Sequence, residues 1–186
     1  MTELVLETER LALRTVGEDD VAMHDALFNT PAIKAHLGGR IEERHELEAR
    51  HARAIAMYAR HRFSFLFWVE KRSGEVIGYG GIKLVDNPRA PNPGDHEIGW
   101  LVREDRWREG FAREAMRAVI DWGFTRVDAP HLVALTSEAN VASWKLMEKL
   151  GMERARELDF TDPAFPPRDN PTIQYRLDRA QWENLQ

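Results

Sequence analysis

The 186-residue sequence contains no cysteine, and this absence excludes several kinds of chemistry. Without a thiol the chain forms no disulfide, binds no metal through thiolates and offers no cysteine nucleophile for a covalent intermediate. The seven histidines do not form a metal-binding pattern in place of the missing cysteines. His45-Glu46 begins like a zinc-protease helix, but the position four residues after His45 is Ala49, and His51 falls on a different helical face. We therefore expect no metal site.

Long apolar runs and an excess of basic residues are also absent. No run approaches the ~18 apolar residues of a membrane span, and residues 1–14 include Glu3, Glu7 and Glu9, unlike a signal peptide. We expect a cytoplasmic protein without a membrane partner. Twenty-six Lys and Arg against 31 Asp and Glu give a net charge of −5, which lacks the basic footprint of a nucleic-acid-binding protein.

Internal repeats, low-complexity tracts and linkers are missing as well. A chain of this length with 43% hydrophobic residues buries one good core, so a single domain over residues 1–186 is expected. Nothing in the sequence decides between a monomer and a homodimer, because exposed apolar area cannot be read from it.

What is present is an alternation of strand-like and helix-like segments, which predicts a mixed α/β order. Residues 73–74 predict a tight turn between two of the strands. Strands are predicted over residues 9–16, 63–70, 75–85, 95–102, 131–136, 154–160 and 172–177, and helices over 18–28, 32–37, 42–60, 110–124 and 140–150.

The segment from Glu97 to Ala115 reads strand, turn, helix. The strand ends at Leu101-Val102, and apolar residues at helical spacing begin just after Gly110. A helix N-terminus presents free N–H groups and the positive end of the helix dipole, and a glycine there lets an anion approach the backbone. This turn therefore suits a pyrophosphate.

A second segment, from Asn140 to Met152, joins a helix start to a helix stop. Asn140 is a typical N-cap, and Gly151 suits the left-handed residue that ends a helix. Val141, Trp144, Met147 and Leu150 recur at helical spacing between them.

Together the two segments resemble the cofactor motifs of the GNAT superfamily of CoA-dependent N-acyltransferases. Trp107-x-x-Gly110-Phe111-Ala112 is similar to the pyrophosphate motif, and looks most like the Rim-type branch, whose named members acetylate ribosomal-protein N-termini. The C-terminal motif is matched by Asn140, Ser143, Lys149, Leu150 and Gly151. The resemblance covers most of the chain, is strongest over residues 97–151, and is weakest over the first sixty.

The resemblance implies a single α+β domain with a central mixed, mostly antiparallel sheet flanked by helices. It also implies acetyl-CoA as co-substrate, no metal, and direct transfer of the acetyl group to a primary amine in a ternary complex. The residues that it places at the cofactor are Leu101, Val102, Trp107, Arg108, Glu109, Gly110, Phe111, Ala112, Asn140 and Ser143.

Two positions depart from the family pattern. Arg108 stands where the family usually has glycine, so its backbone must tolerate a side chain, and its guanidinium has the chemistry to bind phosphate. Met147 stands where many members carry a tyrosine that protonates the leaving thiolate. These departures keep open a second hypothesis, a CoA-binding regulatory or interaction module without turnover.

Two catalytic candidates follow from the resemblance. Glu97 matches a strand glutamate that often acts as the base, acting through a water if its pKa is raised by burial; the other reading is a strand carboxylate paired to a cation. His96 is its rival, and since neighbours on a strand face opposite sides, at most one of the two faces the site. Ser143 replaces the missing tyrosine as donor to the leaving sulfur, or is simply a solvated helix serine.

The acceptor amine is the open question. A protein N-terminus is the first expectation, with small-molecule amines close behind, and no residue decides between them. The proline-rich loops 86–94 and 161–171 either stiffen the surface or wall the acceptor mouth, with Phe160, Phe165 and Arg168 as candidates. The basic run Arg50, Arg53, Arg60, His61 and Arg62 is read as a solvated helix face, with the 3′-phosphate of CoA or an acidic acceptor as the alternative partner.

Overall fold

Eight strands form one sheet in the computed structural model, which describes residues 2–185. The strand order across the sheet is β1-β2-β3-β4-β5-β6-β8-β7. In chain order the strands are β1 (Leu4–Glu7), β2 (Leu11–Arg14), β3 (Phe65–Glu70), β4 (Val76–Leu84), β5 (His96–Val102), β6 (His131–Ser137), β7 (Glu153–Arg154) and β8 (Thr172–Asp178). Every neighbouring pair is antiparallel except β5 and β6, which run parallel. The expected mixed, mostly antiparallel sheet is confirmed.

Six helices flank the sheet. They are α1 (Val21–Phe28), α2 (Pro31–Lys34), α3 (Arg44–His61), α4 (Phe111–Thr125), α5 (Val141–Lys149) and α6 (Arg179–Glu183). The larger core lies between the sheet and α4 to α6, where Met116, Ile120 and Leu177 are fully or almost fully buried. A second cluster packs α1 to α3 against Phe67 and Tyr79 on the other face. Alternate residues of each strand therefore enter different cores.

Three parts of the sequence prediction were incomplete or wrong. The strand β1 and the helix α6 were not predicted. The strand predicted over residues 154–160 is wrong beyond Arg154: residues 156–158 form a 3₁₀ turn, and pairing resumes only at Phe160. The physical reason is an ion pair, since Arg154 and Asp159 join at 2.5 Å and pull the segment off the edge of the sheet.

The glycines of β4 mark a close approach of two strands rather than a phosphate loop. A Cβ added to Gly80 would lie 2.3 Å from the carbonyl oxygen of Gly99 on β5. The indole of buried Trp68 donates to the carbonyl oxygen of Gly80 at 3.1 Å. The absence of side chains on β4 thus lets Trp68 and β5 pack directly on its backbone.

A buried pair of histidines joins α1 to α3. His51 Nε2 and His24 Nδ1 lie 3.0 Å apart, and His51 Nδ1 lies 3.4 Å from the carbonyl oxygen of Gly17. Both side chains are about 1% exposed, and Phe28, Phe67 and Tyr79 surround the ring of His24. Burial, reinforced by the neighbouring His51, lowers the pKa of His24 from 6.5 to about 3, and burial also lowers the pKa of His51. The pair is therefore neutral at pH 7.

We predict that this pair makes the fold sensitive to mild acid. Because the pKa of His24 is lower in the folded chain, the unfolded chain takes up a proton below pH 6.5 that the folded chain refuses. The free energy of unfolding should fall by roughly 1–2 kcal/mol between pH 7.5 and 5.5, measured by urea denaturation. His24→Phe should reduce this pH slope, since the histidine with the most strongly lowered pKa is then absent, while His51 and His96, whose pKa values burial also lowers, still contribute. His45→Gln, at an exposed position, should leave the slope unchanged; a His24→Phe slope equal to that of the wild type would refute the prediction.

Candidate active site

The strands β5 and β6 pair with each other only near their first residues. The two parallel strands share one paired position, Glu97 with Val133. By contrast, β5 pairs with β4 along its whole length, and β6 with β8 along its own. Within residues 2–185, no ladder joins 98–102 to 134–137, so the sheet has an internal gap at the carboxyl ends of its only parallel strands. In open α/β sheets, this is where ligands bind.

The turn from β5 into α4 lies at one side of this gap and exposes a row of backbone N–H groups. The first helical hydrogen bond of α4 runs from Glu114 N to the carbonyl oxygen of Gly110 at 3.1 Å. In the described chain, the amides of residues 108–113 donate to no other protein group. Free amides at a helix start bind anions. The turn around Gly110 thus has the free backbone donors that an anion site requires.

Two residues of this turn adopt the left-handed conformation. Gly110, the N-cap of α4, has φ 84°, and Arg108 has φ 66°. The conformation suits glycine at both places, so the glycine that the family pattern expects at position 108 has a backbone reason. Arg108 adopts it at a cost of about 1 kcal/mol, and its side chain is exposed.

Carboxylates on either side hold the turn in place. Glu114, in the first turn of α4, accepts from Arg10 Nε at 2.6 Å and from the hydroxyl of Thr8 at 2.5 Å. Glu70 of β3 binds Arg106 at 2.8 Å. The guanidinium groups of Arg10 and Arg106 lie over the ring of Phe111, at 4.1 and 4.9 Å from its centroid. Burial raises the pKa of Glu114, but the hydrogen bonds from Thr8 and Arg10 outweigh it and leave that pKa below its usual value.

Trp107 and Asn140 stand at the ends of the two strands that form the gap. The indole of Trp107 donates to the carbonyl oxygen of Val102 at 2.8 Å, and its ring is half exposed. The side chain of Asn140 accepts from Ser143 N at 3.3 Å and caps α5, as predicted. Ser143 is half-buried, and its hydroxyl makes no hydrogen bond to the described residues. That hydroxyl is free to reach a ligand.

Glu97 and His96 face opposite sides of the sheet. Glu97 lies 3.2 Å from Lys83 Nζ, and its side chain is 12% exposed. Burial raises the pKa of Glu97, and Lys83 opposes the rise without cancelling it. The ring of His96 packs against Phe63 instead, at 5.2 Å between centroids, in the core beneath α4. Glu97 shares its strand face with Leu101, whose side chain packs against the core of α1 to α3.

The two proline-rich loops meet next to this face. Asn87, in the loop after β4, donates to Asp162 at 2.8 Å. The loop before β8 also reaches the segment between α2 and α3, where Arg168 donates to the carbonyl oxygen of Ala35 at 3.2 Å and Phe165 packs at Gly38. Phe160 is buried with Val133, the residue that pairs with Glu97.

Asp169 is a residue of this loop that the sequence reading missed. It is 3% exposed, and neither of its carboxylate oxygens has a hydrogen-bond partner in residues 2–185. The nearest cation is Arg168, with Nε at 3.9 Å. A buried carboxylate without a hydrogen-bond donor is costly. No sequence motif indicates Asp169, because its burial depends on how the loop folds.

The structure thus brings together most of the predicted residues. Gly110, Phe111, Ala112 and Asn140 lie at the two helix starts that border the gap, while Val102 and Trp107 lie at its β5 side. Glu109 also contacts the cations that hold the turn. Its carbonyl oxygen accepts from Arg10 at 3.1 Å and its carboxylate pairs with Arg106, while its amide donates to no protein group in the described chain.

Two other kinds of feature are absent from the described residues. Among residues 2–185, no group of three or more His, Asp or Glu side chains is arranged to hold a metal ion. In the same range, none of the helices combines the length and the apolar character required to cross a bilayer.

Comparison with known proteins gives a consistent result. A model of the acetyltransferase (GNAT) domain matches residues 10–153. An uncharacterized N-acetyltransferase of Bacillus subtilis, YoaA, is 26% identical over 151 residues, covering 81% of this chain and 83% of that protein. The crystal structure of an acetyltransferase from Agrobacterium tumefaciens is 27% identical, with a TM-score of 0.74 over 94% of both chains. The aminoglycoside acetyltransferase AAC(6′)-Ib, crystallised with coenzyme A and kanamycin, has a TM-score of 0.73 over 94% of this chain and 98% of its own; at 19% identity this shows the fold.

We predict that two substitutions of Arg108 will separate backbone strain from anion binding. Arg108→Ala keeps a side chain in the left-handed conformation, whereas Arg108→Gly relieves it, so the glycine variant should be about 1 kcal/mol more stable than the alanine variant. Both lose the guanidinium and should bind acetyl-CoA equally weakly, a few-fold less tightly than the wild type. Thermal denaturation and calorimetric titration measure the two effects. Equal melting temperatures for the two variants would contradict backbone strain at position 108. Wild-type affinity for acetyl-CoA in both variants would contradict a contact between the Arg108 guanidinium and the cofactor.

Proposed function

The chain belongs to the GNAT family of acetyltransferases, whose domain model covers residues 10–153, and we propose that it transfers the acetyl group of acetyl-CoA to a primary amine. The transfer is direct: amine and acetyl-CoA bind together, and no acyl-enzyme forms. The absence of cysteine supports a direct path, since the usual acyl-accepting thiol is not available.

The observation that carries the proposal is the continuity of the gap with the free amides. The gap between β5 and β6 opens next to the turn that contains Gly110 and the unbonded amides of residues 108–113. A pantetheine arm is a short chain with two amides of its own, and unpaired strand backbone is its natural partner. Pyrophosphate then reaches the start of α4. In this arrangement the thioester lies deep in the gap, towards Glu97.

Glu97 is the proposed base. A free α-amino group has a pKa near 8 and is partly neutral at pH 7, whereas a lysine side chain near 10.4 needs roughly 4–5 kcal/mol to lose its proton there. A carboxylate whose pKa is raised by burial accepts such a proton more readily than an exposed one, directly or through a water. Lys83 pairs with Glu97 and so favours its ionised form against the effect of burial.

The leaving thiolate needs less assistance from the protein than the attacking amine does. A thiol ionises near pH 8.5, so the CoA thiolate leaves with modest assistance. The hydroxyl of Ser143 is the donor proposed for it, because it is half-buried at the start of α5 and free of other partners. An unpaired N–H of β5 near Leu101 is suited to stabilise the oxyanion of the tetrahedral intermediate.

The acceptor is proposed to be an amine that approaches from the side of the two proline-rich loops. Glu97 faces that side, and the buried carboxylate of Asp169 makes its loop favourable to a cation. A protein N-terminus, as in the Rim-type branch, is the first candidate. Small amines are the second, since AAC(6′)-Ib, which shares the fold, is an aminoglycoside acetyltransferase crystallised with coenzyme A and kanamycin.

Amine-dependent release of free CoA from acetyl-CoA tests the proposal. A panel of peptides with free N-termini and of small amines should contain acceptors that accelerate release at least tenfold over hydrolysis, with matched N-acetylated peptides as inactive controls. If no acceptor does so while acetyl-CoA still binds, the alternative function takes its place: a CoA-binding regulatory or interaction module without turnover. The departures at Arg108 and Met147 are the observations that favour that alternative.

We predict that the pH profile of acetyl transfer reflects the ionisation of Glu97. Its ionised form is required, so kcat/KM falls as the pH drops through the raised pKa of this carboxyl. Glu97→Gln should lower kcat by about 10²-fold or more at pH 7 and abolish this acid limb, with acetyl-CoA affinity nearly unchanged. Lys83→Gln removes the opposing charge, so the pKa of Glu97 rises and the limb moves to higher pH.

Ser143→Ala is the matched comparison for that series. Loss of a leaving-group donor should lower kcat without moving the acid limb, and the cap of Asn140 on α5 remains because it uses the backbone of Ser143. Unchanged kinetics of Glu97→Gln across pH 6 to 9 would eliminate Glu97 as the base. A wild-type rate for Ser143→Ala would leave that hydroxyl without a part in the reaction.

A further inference from the structure

The ring of Phe65 lies across the sheet and ends beside the strand that carries Glu97. Phe65 on β3 pairs with Gly81 on β4, and Gly81 in turn pairs with Gly99 on β5. A Cβ added to Gly99 would lie 2.8 Å from Cζ of Phe65, which is closer than a side chain tolerates. Gly99 therefore makes room for the ring, whose tip contacts β5 just beyond Glu97.

This ring is held in place but is not covered. The ring of Tyr79, on the same face of β4, meets it edge to face, with 5.4 Å between the centroids. Phe65 is nevertheless only half-buried, whereas Phe67, the next residue on this face of β3, is fully buried. A fixed and partly exposed aromatic ring is thus available to a substrate next to the proposed base.

Two leucines continue the apolar surface on both sides of the gap. Leu101 follows Glu97 on β5, and Leu135 follows Val133, the residue that pairs with Glu97, on β6. Because alternate residues of a strand share a face, both leucines lie on the face of Glu97. Both are half-buried, and both lie where β5 and β6 no longer pair. We refer to Phe65, Leu101 and Leu135 as the apolar rim.

The charge beside Glu97 acts against acceptors with a second cation. Lys83 lies 3.2 Å from the carboxylate of Glu97, whose side chain is 12% exposed, and 3.4 Å from that of Asp86. A second ammonium group close to the reacting amine would be brought next to Lys83 where water is largely excluded, and like charges repel more strongly there. An apolar substituent meets no such repulsion and gains by leaving water for the apolar rim.

We propose that the apolar rim is an acceptor subsite, which binds an aliphatic or aromatic group carried next to the reacting amine. The acceptor is then a primary amine with an apolar substituent, such as a peptide whose first residue is large and apolar. Phe65 is the specificity-determining residue, because its ring is placed at β5 by a glycine and remains partly exposed. This inference rests on the proposed function, since it takes Glu97 as the base.

Acetylation of peptides that differ only in their first residue tests the inference. Peptides that begin with leucine or phenylalanine should have a kcat/KM about tenfold or more above that of peptides that begin with serine, aspartate or lysine, as expected for burial of an apolar side chain. Among small amines, isoamylamine should exceed ethanolamine in the same way. The second comparison makes the test independent of whether peptides are the natural acceptors.

Substitutions in the apolar rim should reduce this preference selectively. Phe65→Ala should raise KM for the leucine peptide several-fold, while kcat/KM for the serine peptide stays within about twofold and the affinity for acetyl-CoA is unchanged. Phe65→Leu should retain part of the preference, and Leu135→Ser should weaken it from the other side of the gap. Val69→Ala is the matched control, because Val69 lies on the same face of β3, is also half-buried and packs on the same core, but is remote from Glu97. It should leave the preference intact.

The other outcomes separate this inference from the proposed function. Equal kcat/KM for all first residues, or a preference for lysine or aspartate, would overturn the inference and leave acetyl transfer in place. An equal loss for all acceptors in Phe65→Ala, or the same loss of preference in Val69→Ala, would also overturn it, because the ring would then have only a structural role. If no amine accelerates the release of CoA while acetyl-CoA still binds, the proposed function and the inference fail together.

Discussion

The pairing of Glu97 with Val133 is the constraint on which the rest of the site depends. It is the last point at which β1 to β5 are joined by a backbone ladder to β6, β8 and β7. Beyond it, the two half-sheets are held together by side chains of the core beneath α4, and not by hydrogen bonds between strands. The gap therefore has a fixed closed end with a carboxylate in it. The gap and the position of Glu97 at its closed end both follow from where that ladder stops.

The turn at the mouth of the gap shows how a strained loop is kept in place. Its backbone must leave the amides of residues 108–113 unbonded, so the loop cannot be stabilised by its own hydrogen bonds. Carboxylates outside it, Glu114 and Glu70, take over that role through Arg10 and Arg106. A GNAT domain thus places acidic residues where they hold the cations of the turn, away from the amides that an anion needs.

The local pattern of the sequence predicted the site elements well. For β5, α4 and α5 the predicted ends lie within one or two residues of the observed ones, because caps and apolar spacing are local properties. The gap could not be predicted, since pairing of β5 with β6 depends on how the half-sheets pack. Asp169 was missed for a related reason: whether a polar atom lacks a partner is decided by residues distant in the chain. The error at 156–158 came from an ion pair that no periodicity reveals.

The cations near the start of α4 have a consequence for the rate at which a ligand arrives. The protein as a whole carries a net charge of −5, which repels a polyanion at a distance. Arg113, Arg117 and Lys149 concentrate positive charge between the first two turns of α4 and the end of α5, so a polyanion that approaches there meets local attraction. The local positive potential then guides the polyanion to this region, although the protein as a whole repels it. Such guidance weakens as salt shortens the Debye length to about 8 Å at physiological ionic strength, which makes association more sensitive to salt than dissociation.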